Sequence, residues 1–142
     1  MKISTRGRYA LRVMIDLAEQ SRGTYVPLKE IAARQEISQK YLESIVSDLS
    51  KAKLIDGQHG KGGGYRLLRA PSDYSVGEIL RASEGNLAPI SCLEKDAPPC
   101  PRSAGCKTLP MWKELNDLIQ TFFDGKTLAD LAGVPTGDDY VI

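Results

Sequence analysis

Residues 38–69 read SQKYLESIVSDLSKAKLIDGQHGKGGGYRLLR, and two periods meet inside them. In the first half, Leu42, Ile45, Val46 and Leu49 recur at helical spacing, and Ser38 stands where an N-cap hydroxyl is wanted. In the second half, Leu54–Ile55 and Tyr65–Leu68 flank DGQHGKGGG, nine residues of which five are glycine. Two short apolar runs about a flexible basic loop predict a β-hairpin. A hairpin directly after an amphipathic helix has the form of a wing beside a recognition helix.

The residues before this stretch supply the other helices of such a unit. Ser4 or Thr5 caps a first helix whose face is Ala10, Val13, Met14, Leu17 and Ala18, and Gly23 ends it. Pro27 suits the first turn of a second helix that points Leu28, Ile31 and Ala32 inward. A break at Gln35–Glu36–Ile37 separates it from the helix capped by Ser38, which completes a helix-turn-helix. In the third helix, the exposed first turn Ser38, Gln39, Lys40, Tyr41 and Glu43 carries groups suited to base edges and phosphates. At the wing tip, His59 and Lys61 offer donors, and Gly62 lets backbone approach a phosphate ridge. The glycine loop is not a phosphate cradle of the P-loop kind, because Gly60–Lys61 is followed by Gly62 instead of Ser or Thr. A dinucleotide fingerprint is excluded too, since a strand follows where a helix is required.

Downstream, Ser75 and Glu78 form a capping-box pair opening a short helix that Gly85 closes. Thr108 caps a longer helix, with Pro110 in its first turn and an apolar stripe of Met111, Trp112, Leu115, Leu118, Ile119 and Phe122. The stripe either covers the winged domain as core or pairs with its copy; because a winged unit has its core helices within about 70–80 residues, the two-fold dimer contact is preferred, in keeping with paired half-sites on DNA. The expected fold is mainly α: a winged helix-turn-helix with a small β-hairpin wing and a long C-terminal dimerisation helix. The expected organisation is a DNA-binding domain over residues 1–85, a cysteine loop over 86–107, the dimerisation helix and its KTLADLAG tail over 108–132, and a flexible terminus over 133–142.

The loop between the two downstream helices holds all three cysteines of the chain, Cys92, Cys100 and Cys106, in CLEKDAPPCPRSAGC. With three prolines, a glycine and no apolar period it is a loop without another evident purpose. Three thiols gathered there point to soft-metal ligation, since thiolates hold iron–sulfur clusters and zinc. The spacing matches neither a zinc-finger pair nor a ferredoxin run. A disulfide with a spare thiol is the competing reading; the odd count and the lack of a secretory h-region weigh against it. Glu94 and Asp96 flank the cysteines as further candidate ligands or solvated carboxylates. His59, the single histidine, lies far from them in sequence.

Composition agrees with a water-exposed globular chain: 42% hydrophobic and 26% charged residues in 142. No apolar run reaches the roughly 20 residues of a membrane span, and a reducing cytoplasmic setting is expected for the thiols. Net charge is +1, yet residues 1–80 carry 13 Lys/Arg against 9 Asp/Glu, whereas residues 81–142 carry 6 against 9. A basic first half and an acidic second half suit a nucleic-acid module joined to a different function. No Ser/His/Asp or Cys/His set is evident, so no catalytic residue and no enzyme activity are expected.

Five segments together, MKISTRGRYALRVMIDLA, KYLESIVSDLSKAKLI, GKGGGYRL, PSDYSVGEILRASEG and TLADLA, resemble the winged-helix repressor family of the iron–sulfur cluster regulator IscR, the nitric-oxide sensor NsrR and the cysteine-metabolism repressor CymR. The resemblance extends to about Ala132. It implies a homodimer that binds a double-stranded DNA operator through the third helix and wing. In cluster-binding members it implies ligation by three cysteines ahead of the dimerisation helix, where Cys92, Cys100 and Cys106 stand. CymR-type members lack these cysteines, so the resemblance leans to the cluster-binding branch, with a 2Fe–2S cluster preferred over 4Fe–4S and iron–sulfur assembly proteins as further partners. Two departures stand out. IscR-like members often carry a histidine three residues after the third cysteine, where this chain has Leu109; other members take a ligand from the partner's first helix, where it has Arg8. The wing histidine also stands where relatives often place arginine. The expected function is therefore a cluster-sensing DNA-binding repressor of iron–sulfur biogenesis or a related iron or redox response. Its rivals are a CymR-like regulator of cysteine metabolism controlled by a partner protein or thiol redox, and an iron–sulfur carrier or redox protein.

Overall fold

A computed structural model describes residues 2–20 and 23–133. The terminus expected to be flexible lies, but for Gly133, outside the described residues. Six helices and one hairpin follow in the order α1 (Thr5–Gln20), α2 (Leu28–Gln35), α3 (Gln39–Lys51), β1 (Ile55–Gln58), β2 (Gly64–Leu67), α4 (Val76–Glu84), α5 (Leu109–Asp124) and α6 (Leu128–Leu131).

The face predicted for α1 is the centre of the core: Ala10, Val13, Met14 and Leu17 are fully buried. Ser4 supplies the cap, accepting from the Gly7 N–H at 3.2 Å. α2 stops at Glu36, which takes a left-handed φ of 55°, and the chain turns so that Ser38 accepts from the Tyr41 N–H at 3.2 Å. Leu42, Ile45, Val46 and Leu49 all point into the core, as their spacing demands. An acid completes the union of α1 and α2. Asp16 is 2% exposed, and Arg34 donates to both its oxygens at 2.9 and 3.0 Å while Gln35 adds a third bond at 2.9 Å. A buried carboxylate so paired is tolerated; one left alone is not.

The hairpin pairs Ile55 with Leu67 and Gln58 with Gly64; β2 lies one residue earlier than the sequence placed it, and β1 begins one residue later and runs three residues further, taking Asp56–Gln58 out of the expected loop. Leu54 is core but precedes β1, and Leu68 is half exposed beyond β2. The wing is also bound on its other side. Val26 N donates to Tyr65 O at 2.8 Å and Tyr65 N to Val26 O at 2.9 Å. Gly64 makes this approach possible: a Cβ there would sit 2.2 Å from the Val26 carbonyl oxygen, at a φ of 146°.

Tyr74, fully buried, ties three segments together. Its hydroxyl donates to Leu54 O at 2.6 Å and accepts from Leu68 N and Arg69 N at 2.9 and 3.1 Å. α4 then opens with the Ser75–Glu78 capping box, both halves formed. The tail is more than an added turn. Thr127 and Asp130 make a second capping box, Leu128 N donates to Tyr74 O, and Leu128 and Ala132 enter the same core as α1.

Candidate DNA interface and cysteine centre

Gln39, Lys40 and Glu43 stand exposed on the first turn of α3, and His59, Lys61 and Gly62 at the exposed wing tip. Among the described residues, the side chains of Gln39, Lys40, Glu43, His59 and Lys61 have no partner within the chain. Two of the expected contacts are committed elsewhere. The Ser38 hydroxyl is taken by the cap, and Tyr41 is half buried, its ring tilted against Tyr9 at 5.8 Å between centroids. Tyr41 thus packs against Tyr9 with part of its surface still exposed.

Between α3 and the wing runs a cleft of about 350 Å³ lined by Glu43, Ser47, Ser50, Lys51, Gln58 and His59, with Gly57 and Tyr65. Ser47, Ser50 and Lys51 were not singled out from sequence. Their signal was present: they follow Glu43 at i+4, i+7 and i+8, which is one helical stripe opposite the apolar face.

The cysteine loop runs over the surface between α4 and α5. Cys92 and Cys100 are exposed and Cys106 half buried, all as free thiols. They line one cavity of about 210 Å³, whose wall also includes Leu93, Pro99, Ser103, Leu109 and Lys113. As they stand, among the described residues, no three His, Cys, Asp or Glu side chains converge closely enough to hold a metal ion. Three soft donors lining one cavity nonetheless fit an iron–sulfur centre in kind. Neither carboxylate considered as a ligand lines that cavity, and Glu94 accepts instead from Asn86 at 3.3 Å. Thr108 sits at the N-cap of α5 but does not cap it. Its hydroxyl lies 3.5 Å from the Cys106 sulfur, and this contact, with the Thr108 and Leu109 backbone N–H groups, holds the Cys106 thiol below its ordinary pKa.

α5 has two faces. Ile119 and Phe123 turn inward on Val76, Leu80 and Leu87, and Arg81 clamps the helix by donating to both Asp124 oxygens at 2.7 and 3.0 Å and to Gln120 at 2.5 Å. Met111, Leu115, Leu118 and Phe122 point out; Leu118 is 63% exposed and Phe122 59%. Trp112 is half buried. The stripe read from sequence as a single surface is therefore divided, with Ile119 serving the chain's own core. No helix among the described residues is long and apolar enough to cross a membrane.

A helix-turn-helix with a pinned wing and an unpartnered polar face on its third helix defines a DNA-binding module. The profile of the Rrf2 family, described as iron-dependent transcriptional regulators, matches residues 3–133. The chain belongs to that family, whose members are transcriptional regulators and not enzymes. It is 37% identical over 131 residues to the HTH-type transcriptional regulator IscR of Aliivibrio salmonicida, covering 92% of this chain and 77% of that one. It is 38% identical over 138 residues to the HTH-type transcriptional regulator CymR of Bacillus subtilis, covering 97% and 94%. The solved structure of the B. subtilis global cysteine regulator CymR superposes with a TM-score of 0.74 at 35% identity, over 96% of this chain and 99% of that one. IscR-like and CymR-like relatives stand at equal distance.

Proposed function

We propose that this protein is a homodimeric, DNA-binding repressor that senses an iron–sulfur cluster held by Cys92, Cys100 and Cys106, and that it acts in the cytoplasm on genes of iron–sulfur assembly or a related iron or redox response. The observation that carries the choice is the common cavity: all three cysteines line it, together with Leu109 and Lys113 of α5. A bound cluster, 2Fe–2S in preference to 4Fe–4S, would supply a redox- and oxygen-sensitive centre. The chain's own residues do the rest. Gln39, Lys40 and Glu43 meet base edges, with Ser47, Ser50 and Lys51 continuing the same face. Lys61, His59 and the glycines of the wing meet phosphates. The outward face of α5 meets its copy across a two-fold axis. The cysteine loop adjoins the start of α5, and Arg81 carries the position of α5 to α4 through Asp124 and Gln120. α4 reaches α1 through Glu84, which accepts from both the N–H and the hydroxyl of Ser4.

The test is visible absorption of protein purified anaerobically, with iron and sulfide analysis. Wild type should carry both, and Cys92→Ser, Cys100→Ser and Cys106→Ser should each lose them. Three single variants with full iron and sulfide would defeat the assignment. A second reading, a regulator of cysteine metabolism controlled by a partner protein or by thiol redox, is favoured by the two exposed cysteines and the lowered Cys106 thiol. Wild type without iron whose DNA affinity follows its thiol oxidation state would establish that reading instead. For DNA, Lys61→Ala should weaken binding on all sequences and lower the salt slope by about one, as loss of one phosphate contact does. Glu43→Ala should relax base preference at one position. Mobility shifts on an operator set varied one base pair at a time, at two salt concentrations, separate the two.

A further inference from the structure

The third helix is held along one flank by α1. Tyr41, Ser44 and Asp48 follow at i, i+3 and i+7 and form the side of α3 between its apolar face and the stripe of Glu43, Ser47 and Ser50. α1 meets that flank with two side chains one turn apart. Tyr9 lies against Tyr41, and the Arg12 guanidinium stands 5.0 Å from the Tyr9 ring centroid. Arg6 donates from Nε and Nη2 to Asp48 Oδ2 at 3.0 and 2.6 Å, and from Nη2 to the Ser44 carbonyl oxygen at 3.0 Å. The start of α1 is in turn fixed to α4. Glu84 Oε1 accepts from the Ser4 N–H at 3.0 Å and from the Ser4 hydroxyl at 2.6 Å, and it lies so close to Gly7 that a side chain there would strike it.

Burial of Leu42, Ile45, Val46 and Leu49 holds α3 to the core, but apolar burial is non-directional. A forked guanidinium bound to a carboxylate and to backbone one turn away is directional, and it sets the rotation of the helix about its own axis. We infer, on the DNA-binding reading above, that Arg6 is a positioning residue for base readout: it aims the stripe of Glu43, Ser47 and Ser50 into the groove without itself touching DNA. Its charge is matched by Asp48 and two of its three nitrogens are spent on α3. A small rotation of α3 moves every groove-facing side chain together. Loss of the tie therefore shows in discrimination between sequences, while the charge-driven attraction common to all sequences is kept.

The probes are a duplex selected from a random pool by wild type and a scrambled duplex of equal length. Wild type, Arg6→Ala, Arg6→Lys, Asp48→Ala and the Arg6→Ala/Asp48→Ala pair are titrated with both at several salt concentrations. The two side chains are 29% and 31% exposed, so truncating one strands no buried charge, and thermal melting checks that each variant is folded. Arg6→Ala should bind the selected duplex about tenfold more weakly and the scrambled one as wild type does, with the salt slope unchanged. Arg6→Lys keeps the charge without the fork and should lose the same discrimination. The double variant should lose no more than Arg6→Ala, because the two groups act through one contact. Equal weakening on both duplexes, with a slope lower by about one, would make Arg6 a phosphate contact and overturn the inference, as would full discrimination in either Arg6 variant. Should Arg6→Ala melt below the assay temperature, Asp48→Ala carries the test through the same loss of discrimination; unfolding of both reduces the pair to a structural tie and overturns the inference too. A wild type that enriches no sequence from the pool defeats the DNA-binding reading itself, and that selection precedes every variant.

Discussion

The winged core and the cysteine loop are built on opposite terms. In the core, α1 to α4 and α6 bury Met14, Leu17, Ile31, Leu42, Leu49, Ile79 and Leu128 completely; Asp16 and Tyr74 each carry three hydrogen bonds, while the buried Ser83 hydroxyl of α4 has none among the described residues. In the loop, two of three cysteines are exposed and the backbone makes only isolated turns. The first region holds one conformation because its packing and hydrogen bonds agree. The second keeps few buried contacts, so its local stability is low. α5 belongs to both: Ile119 and Phe123 anchor it to the core, while its other face is left open.

The contrast can be broken most severely at Leu128. If the tail is core, Leu128→Ala should cost about 2–5 kcal/mol in urea unfolding, as truncation of a buried leucine does. A loss below about 1 kcal/mol would make α6 a mere appendage. Next is the divided helix. Leu118→Glu with Phe122→Glu should weaken dimerisation by about 100-fold or more, judged by the cost of losing central apolar anchors, and leave a folded monomer in sedimentation; Ile119→Glu should unfold the α4–α5 contact instead. A dimer that tolerates the outward pair but not Ile119 would reverse the faces. Tyr74→Phe should cost about 1–3 kcal/mol, because Leu68 N, Arg69 N and Leu54 O lose a buried partner; an unchanged melting curve would remove the phenol as a tie. Least of all, Cys100→Ser in metal-free protein should alter stability by no more than about 0.5 kcal/mol. A larger effect would show the loop to be packed after all.

Much of this was readable beforehand. The inner face of α3, the Ser38 cap and the Ser75–Glu78 box are local matters, settled by spacing and by which side chain reaches which N–H. The hairpin was announced by its glycines. What escaped depends on partners distant in sequence. Nothing near Tyr74 says that its hydroxyl will join Leu54 to Leu68, and nothing near Asp16 names Arg34 and Gln35. The α5 stripe was legible as apolar, but an apolar arc does not reveal which part a neighbouring helix covers. Thr108 is an ordinary cap by sequence; only the fold brings the Cys106 sulfur within its reach. For the cysteines, the chain order gave the set, and the shared cavity with Leu109 and Lys113 became visible only once α5 was in place.

The double hydrogen bond between Val26 and Tyr65 has a thermodynamic consequence for operator binding. For the wing contact proposed above, it fixes the strands before DNA arrives, so the part to be immobilised is the tip from His59 to Gly63, itself turned by the Gly63 N–H to Gly60 O bond. Fixing a residue's backbone costs about 1–2 kcal/mol, and here that entropy is confined to a segment of five residues, three of them glycine. A wing free along its whole length would lose far more. Calorimetry on a short operator should accordingly find a small heat-capacity change, the signature of two preformed surfaces meeting and not of a segment that folds as it binds.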